Sequence, residues 1–157
     1  MKFLVSKNSA PAPLLRQLMI AVTAALLLYL LLDVVLHGYL IGLSPQAAAQ
    51  TLFGNEEAFV EPILFESLLL QVHIDLFMAL VSLLILVAIY LRMTQKEKVR
   101  TGVLHSLFMA ALGAPLLLIV AYFGGSFWLY GWVGAFFIWH LLGLFVGTAA
   151  LKRLFAS

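Results

Sequence analysis

FFIWHLLGLFVGT, running from Phe136 to Thr148, is an apolar stretch that carries one ionisable group, His140, followed by Gly143 and Gly147. Positions 140, 143 and 147 share one face of a helix. An imidazole therefore stands beside two places where a partner helix or a flat cofactor can approach the backbone. An ionisable side chain so deep in an apolar run is expensive to hold there, and by default it faces the interior of a bundle and marks a functional site. The stretch reads as the middle of a membrane-spanning helix.

The rest of the chain has the same character. Of its 157 residues, 64% are hydrophobic and 10% charged, against about 45–50% and about 25% in soluble domains. A water-soluble core of this size cannot hide that excess. Four apolar runs, about residues 18–41, 63–91, 103–123 and 131–151, reach the roughly 20 residues needed to cross a bilayer. The expected fold is an all-α integral membrane protein: one membrane domain over residues 1–157, built as a four-helix bundle. Cysteine is absent, which excludes disulfides, thiolate metal sites, iron–sulfur clusters and covalently attached haem. Any metal or haem must use His, Met or carboxylate. A net charge of +2 gives no footing for nucleic acid. No Ser/His/Asp constellation, P-loop, GxGxxG or HExxH occurs, so any catalysis would be that of a redox subunit in a larger membrane complex.

Met1 to Gln17, with Lys2, Lys7, Arg16 and two prolines, resembles the n-region of a signal peptide. The apolar run after it is longer than the roughly 7–15 residues of a signal core, and it reads as the first span and not as a cleaved leader. Residues 42–62 form the only sizeable extramembrane loop. Within it Ser44 as N-cap, Pro45 at the first helical position and Gly54 as the stop predict a short helix lying along the membrane surface, with Leu52 and Phe53 dipping in. Glu56, Glu57, Glu61 and Glu66 make an acidic collar before span two. Lysine and arginine cluster before span one, in the turn Arg92 to Arg100, and at Lys152 and Arg153. The positive-inside rule then puts both termini in the cytoplasm and the acidic loop outside the plasma (inner) membrane. Trp128, Tyr130 and Trp132 read as an interfacial belt.

Polar groups within the spans carry the functional signal. Asp33 and His37 are four apart and share a face of span one; Asp33 is expected to hydrogen-bond a neighbouring helix and His37, near the end, to reach headgroup water. On span two His73 and Asp75 point roughly 200° apart. His105 opens span three near the basic turn, where contact with solvent is expected. At about 1.5 Å per residue, Asp33, His73, Asp75 and His140 fall in one layer of the outer half. Gly102, Ser106, Ala110 and Ala114 follow at four-residue intervals, a small-residue face for close helix packing, with Gly147 as a further packing position. Pro115 should kink span three.

Three readings fit this layer. In the first, His73 and His140 are the axial ligands of a b-type haem, with Gly143 making room for the porphyrin edge. A His on span two, a His on span four and the helix count resemble the small cytochrome b subunits of respiratory dehydrogenases and reductases. That resemblance implies electron transfer to or from quinone in a respiratory complex. In the second, Asp33, His73, Asp75 and His140 form a proton relay or a cation site, from which His73 or Asp75 must drop out because they point apart, and Asp33, His37 and Asp75 make up the wider polar network. In the third, these groups only join the helices, and the protein is a cofactor-free accessory or assembly subunit. The expected surroundings are the lipid bilayer and either other membrane subunits or further copies of the chain.

Overall fold

Pro13–Leu40 (α1), Pro45–Phe53 (α2), Phe65–Met93 (α3), Glu97–Gly124 (α4) and Phe127–Ala156 (α5) are the helices of the chain, and no strand occurs among the described residues. The computed structural model describes residues 13–93 and 97–156, apart from the side chains at 92, 93 and 97–100. The basic lead-in as far as residue 12 and the middle of the basic turn lie outside the described residues. Four helices are long and apolar enough to cross a membrane. The protein is thus an integral membrane protein with four spans, and its outward-facing leucines and phenylalanines, such as Leu70, Phe77 and Leu141, meet lipid.

The helices run further than the apolar runs alone suggest. Helix α4 begins at Glu97 and α5 at Phe127, so Trp128, Tyr130 and Trp132 lie in the first turns of α5 and not in a loop. Trp128 and Tyr130 are exposed, as a belt requires, but Trp132 is buried in the core. The side chain of Arg16 donates to the carbonyls of Leu154 and Phe155 at 2.7 and 3.3 Å. A guanidinium is well placed at the carbonyl end of a helix, and the bonds fix the start of α1 beside the end of α5.

Helix α2 forms for local reasons and then does tertiary work. Ser44 Oγ accepts from the Ala47 N–H at 3.1 Å, Pro45 occupies the first turn, and Gly54 ends the helix at φ 82, a backbone state that suits only glycine. Ala48 and Leu52, one turn apart, are fully buried against Ile41, Leu68 and Trp132. Leu52 therefore enters the protein core and not lipid, while Phe53 stays exposed. The helix caps one end of the bundle, and burying Leu52 there contributes about 2 kcal/mol.

Helix α5 packs against all the other helices, whereas α1 and α3 meet only narrowly. Two apolar clusters result. One holds Ile41, Leu68, Val72, Leu118, Leu129 and Phe136 at the α2 end; the other holds Leu30, Ala79, Leu83, Leu107, Trp139 and Val146. Along α1, α3 and α5 the boundary between the clusters falls where the ionisable side chains are.

Candidate functional site

The spacing of Asp33 and His37 puts both on the face of α1 that looks into the bundle. His37 is 3% exposed, and Asp33 and Asp75 are 11% and 14% exposed. His37 Nδ1 donates to the Asp33 carbonyl at 3.0 Å, and His140 Nδ1 donates to the Phe136 carbonyl, also four residues back, at 2.8 Å. A carbonyl only accepts, so each Nδ1 carries hydrogen and each Nε2 is left to face a carboxylate. His37 Nε2 meets Asp75 Oδ2 at 3.1 Å, and His140 Nε2 meets Asp33 Oδ2 at 3.0 Å. The two halves join where His37 Nδ1 lies 3.4 Å from Asp33 Oδ1.

The result is an alternating chain, Asp75–His37–Asp33–His140, crossing from α3 through α1 to α5. Each Nε2–carboxylate contact holds one hydrogen, on nitrogen as an ion pair or on oxygen as a neutral pair. The sum of charges is zero in both forms. This is what permits two carboxylates in an apolar bundle, where an unpaired charge costs several kcal/mol. Gln71, one turn before Asp75, fixes the far end by donating to Asp75 Oδ1 at 2.8 Å. Phe136 packs against both imidazoles in tilted geometry, with ring centroids 4.8 Å from His37 and 4.1 Å from His140.

A cavity of about 20 Å³ adjoins the chain, lined by its four ionisable members together with Tyr29, Ala111, Pro115, Trp132, Phe136 and Trp139, among others. That is room for about one water. Pro115 continues α4 without an N–H to give the Ala111 carbonyl, and both residues of that missing bond line the cavity. Trp139 shares the cavity with His140.

His73 lies elsewhere. Its side chain is exposed on the outer side of α3, as the turn of the helix demands once Asp75 points inward. It is not brought to His140, whose two ring nitrogens are both engaged. The space beside Gly143 is also taken: a Cβ there would lie 2.8 Å from Leu30 Cδ1. These residues do not fit a bis-histidine haem, because one ligand faces outward, the other is committed to Asp33, and a leucine occupies the porphyrin edge. Gly147 allows close approach of α1, with Leu27 Cδ2 2.6 Å from where its Cβ would be. Of the small-residue face, Ala110 and Ala114 are buried, while Gly102 and Ser106 are exposed. His105 is exposed, and its ring Nδ1 donates to the Thr101 carbonyl at 2.8 Å.

His37 was expected to reach headgroup water and is instead the centre of the chain. Its burial comes from packing against α3 and α5, where Asp75 and Phe136 meet its ring, a tertiary event with no mark near residue 37. Phe136 as a shared ring contact and Tyr29 as a lining residue were also missed. Their spacing, Tyr29 four before Asp33 and Phe136 four before His140, was the available signal.

No curated protein and no solved structure matches the chain. A family profile described as a transmembrane helical domain covers residues 42–157, which includes Asp75 and His140 and stops short of Asp33 and His37. Matching well over half of the sequence, it shows that the chain belongs to that family, Aq_1264_TM.

Proposed function

We propose that this protein handles cations within the membrane, as a proton or cation relay component of a larger assembly. The observation that carries the reading is the chain Asp75–His37–Asp33–His140, whose links of 3.1, 3.4 and 3.0 Å tie three helices. Carboxylates and imidazoles in contact exchange protons, and intramembrane groups of this kind mark ion pathways. Four helices with an apolar cluster on each side of the layer form a thin enclosure, which favours a component over a complete transporter. The flanking charges, Arg16, Lys152 and Arg153 at one end and Glu56, Glu57 and Glu61 at the other, favour termini in the cytoplasm of a plasma membrane with α2 outside.

The full chain reconstituted in liposomes around a pH-sensitive dye tests this. Dissipation of an imposed pH gradient should be faster than in protein-free liposomes, slowed to the protein-free rate by Asp33→Asn, and unchanged by His73→Ala. Equal rates in all four preparations would refute the relay. One observation favours the cofactor-free accessory subunit as a second reading: Gly102 and Ser106 leave part of the small-residue face uncovered, as a partner helix would use it. A respiratory cytochrome passing electrons to quinone receives no support from the histidine geometry.

A further inference from the structure

We propose that Asp33, His37 and Asp75 bind one divalent first-row transition-metal ion between the two apolar clusters of the bundle. The inference rests on the cation reading above and names the class of cation. One ligand atom from each of the three residues lies within 4.8 Å of the others. Bonds of about 2.0–2.2 Å around one ion hold ligand atoms no more than about 4.4 Å apart, so a closure of well under an ångström completes the set.

The surroundings are arranged as around a metal. A ligating histidine characteristically donates its other ring N–H to a carbonyl, and ligating carboxylates are themselves hydrogen-bonded. Here His37 Nδ1 bonds the Asp33 carbonyl at 3.0 Å, leaving Nε2 for the ion. Gln71 holds the outer oxygen of Asp75 at 2.8 Å, and His140 holds that of Asp33 at 3.0 Å. Separately from these bonds, the cavity of about 20 Å³ borders all three ligands, enough for a water or a substrate oxygen as a fourth ligand. Pro115, on its wall, also leaves the Ala111 carbonyl without its helical donor.

The donor set selects the metal. One imidazole and two carboxylates suit Mn²⁺, Fe²⁺, Co²⁺ or Zn²⁺; Cu⁺ prefers sulfur, and Mg²⁺ and Ca²⁺ prefer oxygen alone. Asp33 and Asp75 are the two anionic ligands. The ion takes the place of the hydrogen between His37 Nε2 and Asp75 Oδ2, which leaves as a proton, and with His140 keeping its hydrogen on Asp33 the layer goes from zero to a charge of +1.

Equilibrium dialysis of the chelator-treated full chain against Mn²⁺ and Zn²⁺, with Mg²⁺ as the contrast, tests the site. The expected result is one Mn²⁺ or Zn²⁺ per chain, at least tenfold weaker binding in His37→Gln and Asp75→Asn, and unaltered binding in His73→Ala. Pulsed electron paramagnetic resonance of the wild-type Mn²⁺ complex should show coupling to one imidazole nitrogen, a readout that no misfolded variant can confuse. Absent stoichiometric binding, absent nitrogen coupling, or binding lost in His73→Ala and kept in Asp75→Asn would each overturn the proposal. Proton flux in chelator-treated liposomes separates the two claims: flux without metal binding defeats the metal site alone, and loss of both defeats the cation reading as well.

Discussion

Replacing His140 by leucine removes the only α5 partner of Asp33, and its cost can be worked from the geometry. At 3.0 Å and an effective dielectric constant of about 20, the attraction between the charged forms is about 5.5 kcal/mol. Desolvation takes back a part of this that grows with burial. Neutral interhelical hydrogen bonds in membranes retain about 0.6 kcal/mol on average and about 1.7 at most. A charge-assisted bond to a carboxylate that is 11% exposed belongs above that range, at about 2 kcal/mol of coupling. The single change should cost more, about 3 kcal/mol, because Asp33 stays buried with only His37 beside its other oxygen. Adding Asp33→Leu removes the stranded carboxylate, and His37 keeps its bond to the residue 33 carbonyl, which a leucine still supplies. The double variant should therefore be no less stable than His140→Leu. Detergent-driven unfolding in mixed micelles, followed by tryptophan fluorescence, reads this directly, since Trp132 and Trp139 line the same cavity. A coupling below about 0.5 kcal/mol in the double-mutant cycle would refute the claim that the pair holds α1 to α5.

The absence of cysteine makes topology easy to test: a single Ala58→Cys, on the exposed turn after α2, should react with an impermeant thiol reagent added to intact cells, and labelling only after lysis would invert the orientation. His37→Leu should destabilise the bundle by about 2–3 kcal/mol, whereas His73→Leu, on the exposed side of α3, should change stability by less than about 0.5 kcal/mol; equal losses in the same unfolding assay would mean that α3 is rotated. Gly147→Leu should cost at least 3 kcal/mol, about the upper end of ordinary overpacking, because a Cβ there already meets Leu27, while a Cβ at Gly102 meets nothing within 4 Å and Gly102→Leu should leave the isolated protein as stable as before. Reduced-minus-oxidised spectra of the purified protein should show no haem band, and a band abolished by His140→Ala would overturn the misfit argued from Leu30 and His73.

Sequence and structure agree where the cause is local. The four spans follow from hydrophobic length, and α2 follows from Ser44, Pro45 and Gly54, whose backbone roles need no knowledge of the rest of the chain. Helix geometry alone also required that only one of His73 and Asp75 enter a shared site. What it could not supply was the rotation of α3, which is set by the packing of Ala79, Leu83 and Leu86 against the other helices. That single unknown decided which of His73 and Asp75 faces the bundle interior.

The other differences lie at the end of the bundle that α2 closes. Counted from the end of a span, His37 and Trp132 both fall near a membrane surface, where an imidazole and an indole suit the headgroup region. Ala48 and Leu52 of α2 then cover that end, with Leu52 packed in the same cluster as Trp132. Next to this cluster, with Phe136 against its ring, His37 is left with 3% of its side chain exposed, and its Nε2 must find a hydrogen-bond partner within the protein. Asp75 supplies it across the narrow meeting of α1 and α3. Exposing this end should therefore disturb the ionisable layer before it disturbs the spans. Leu52→Ala, at a cost of about 2–5 kcal/mol, should open the His37–Asp75 contact to water while the four spans persist. Faster hydrogen exchange at the His37 ring with unchanged helix content is the expected signature, and a His37 ring that remains protected would show that the contact does not need α2.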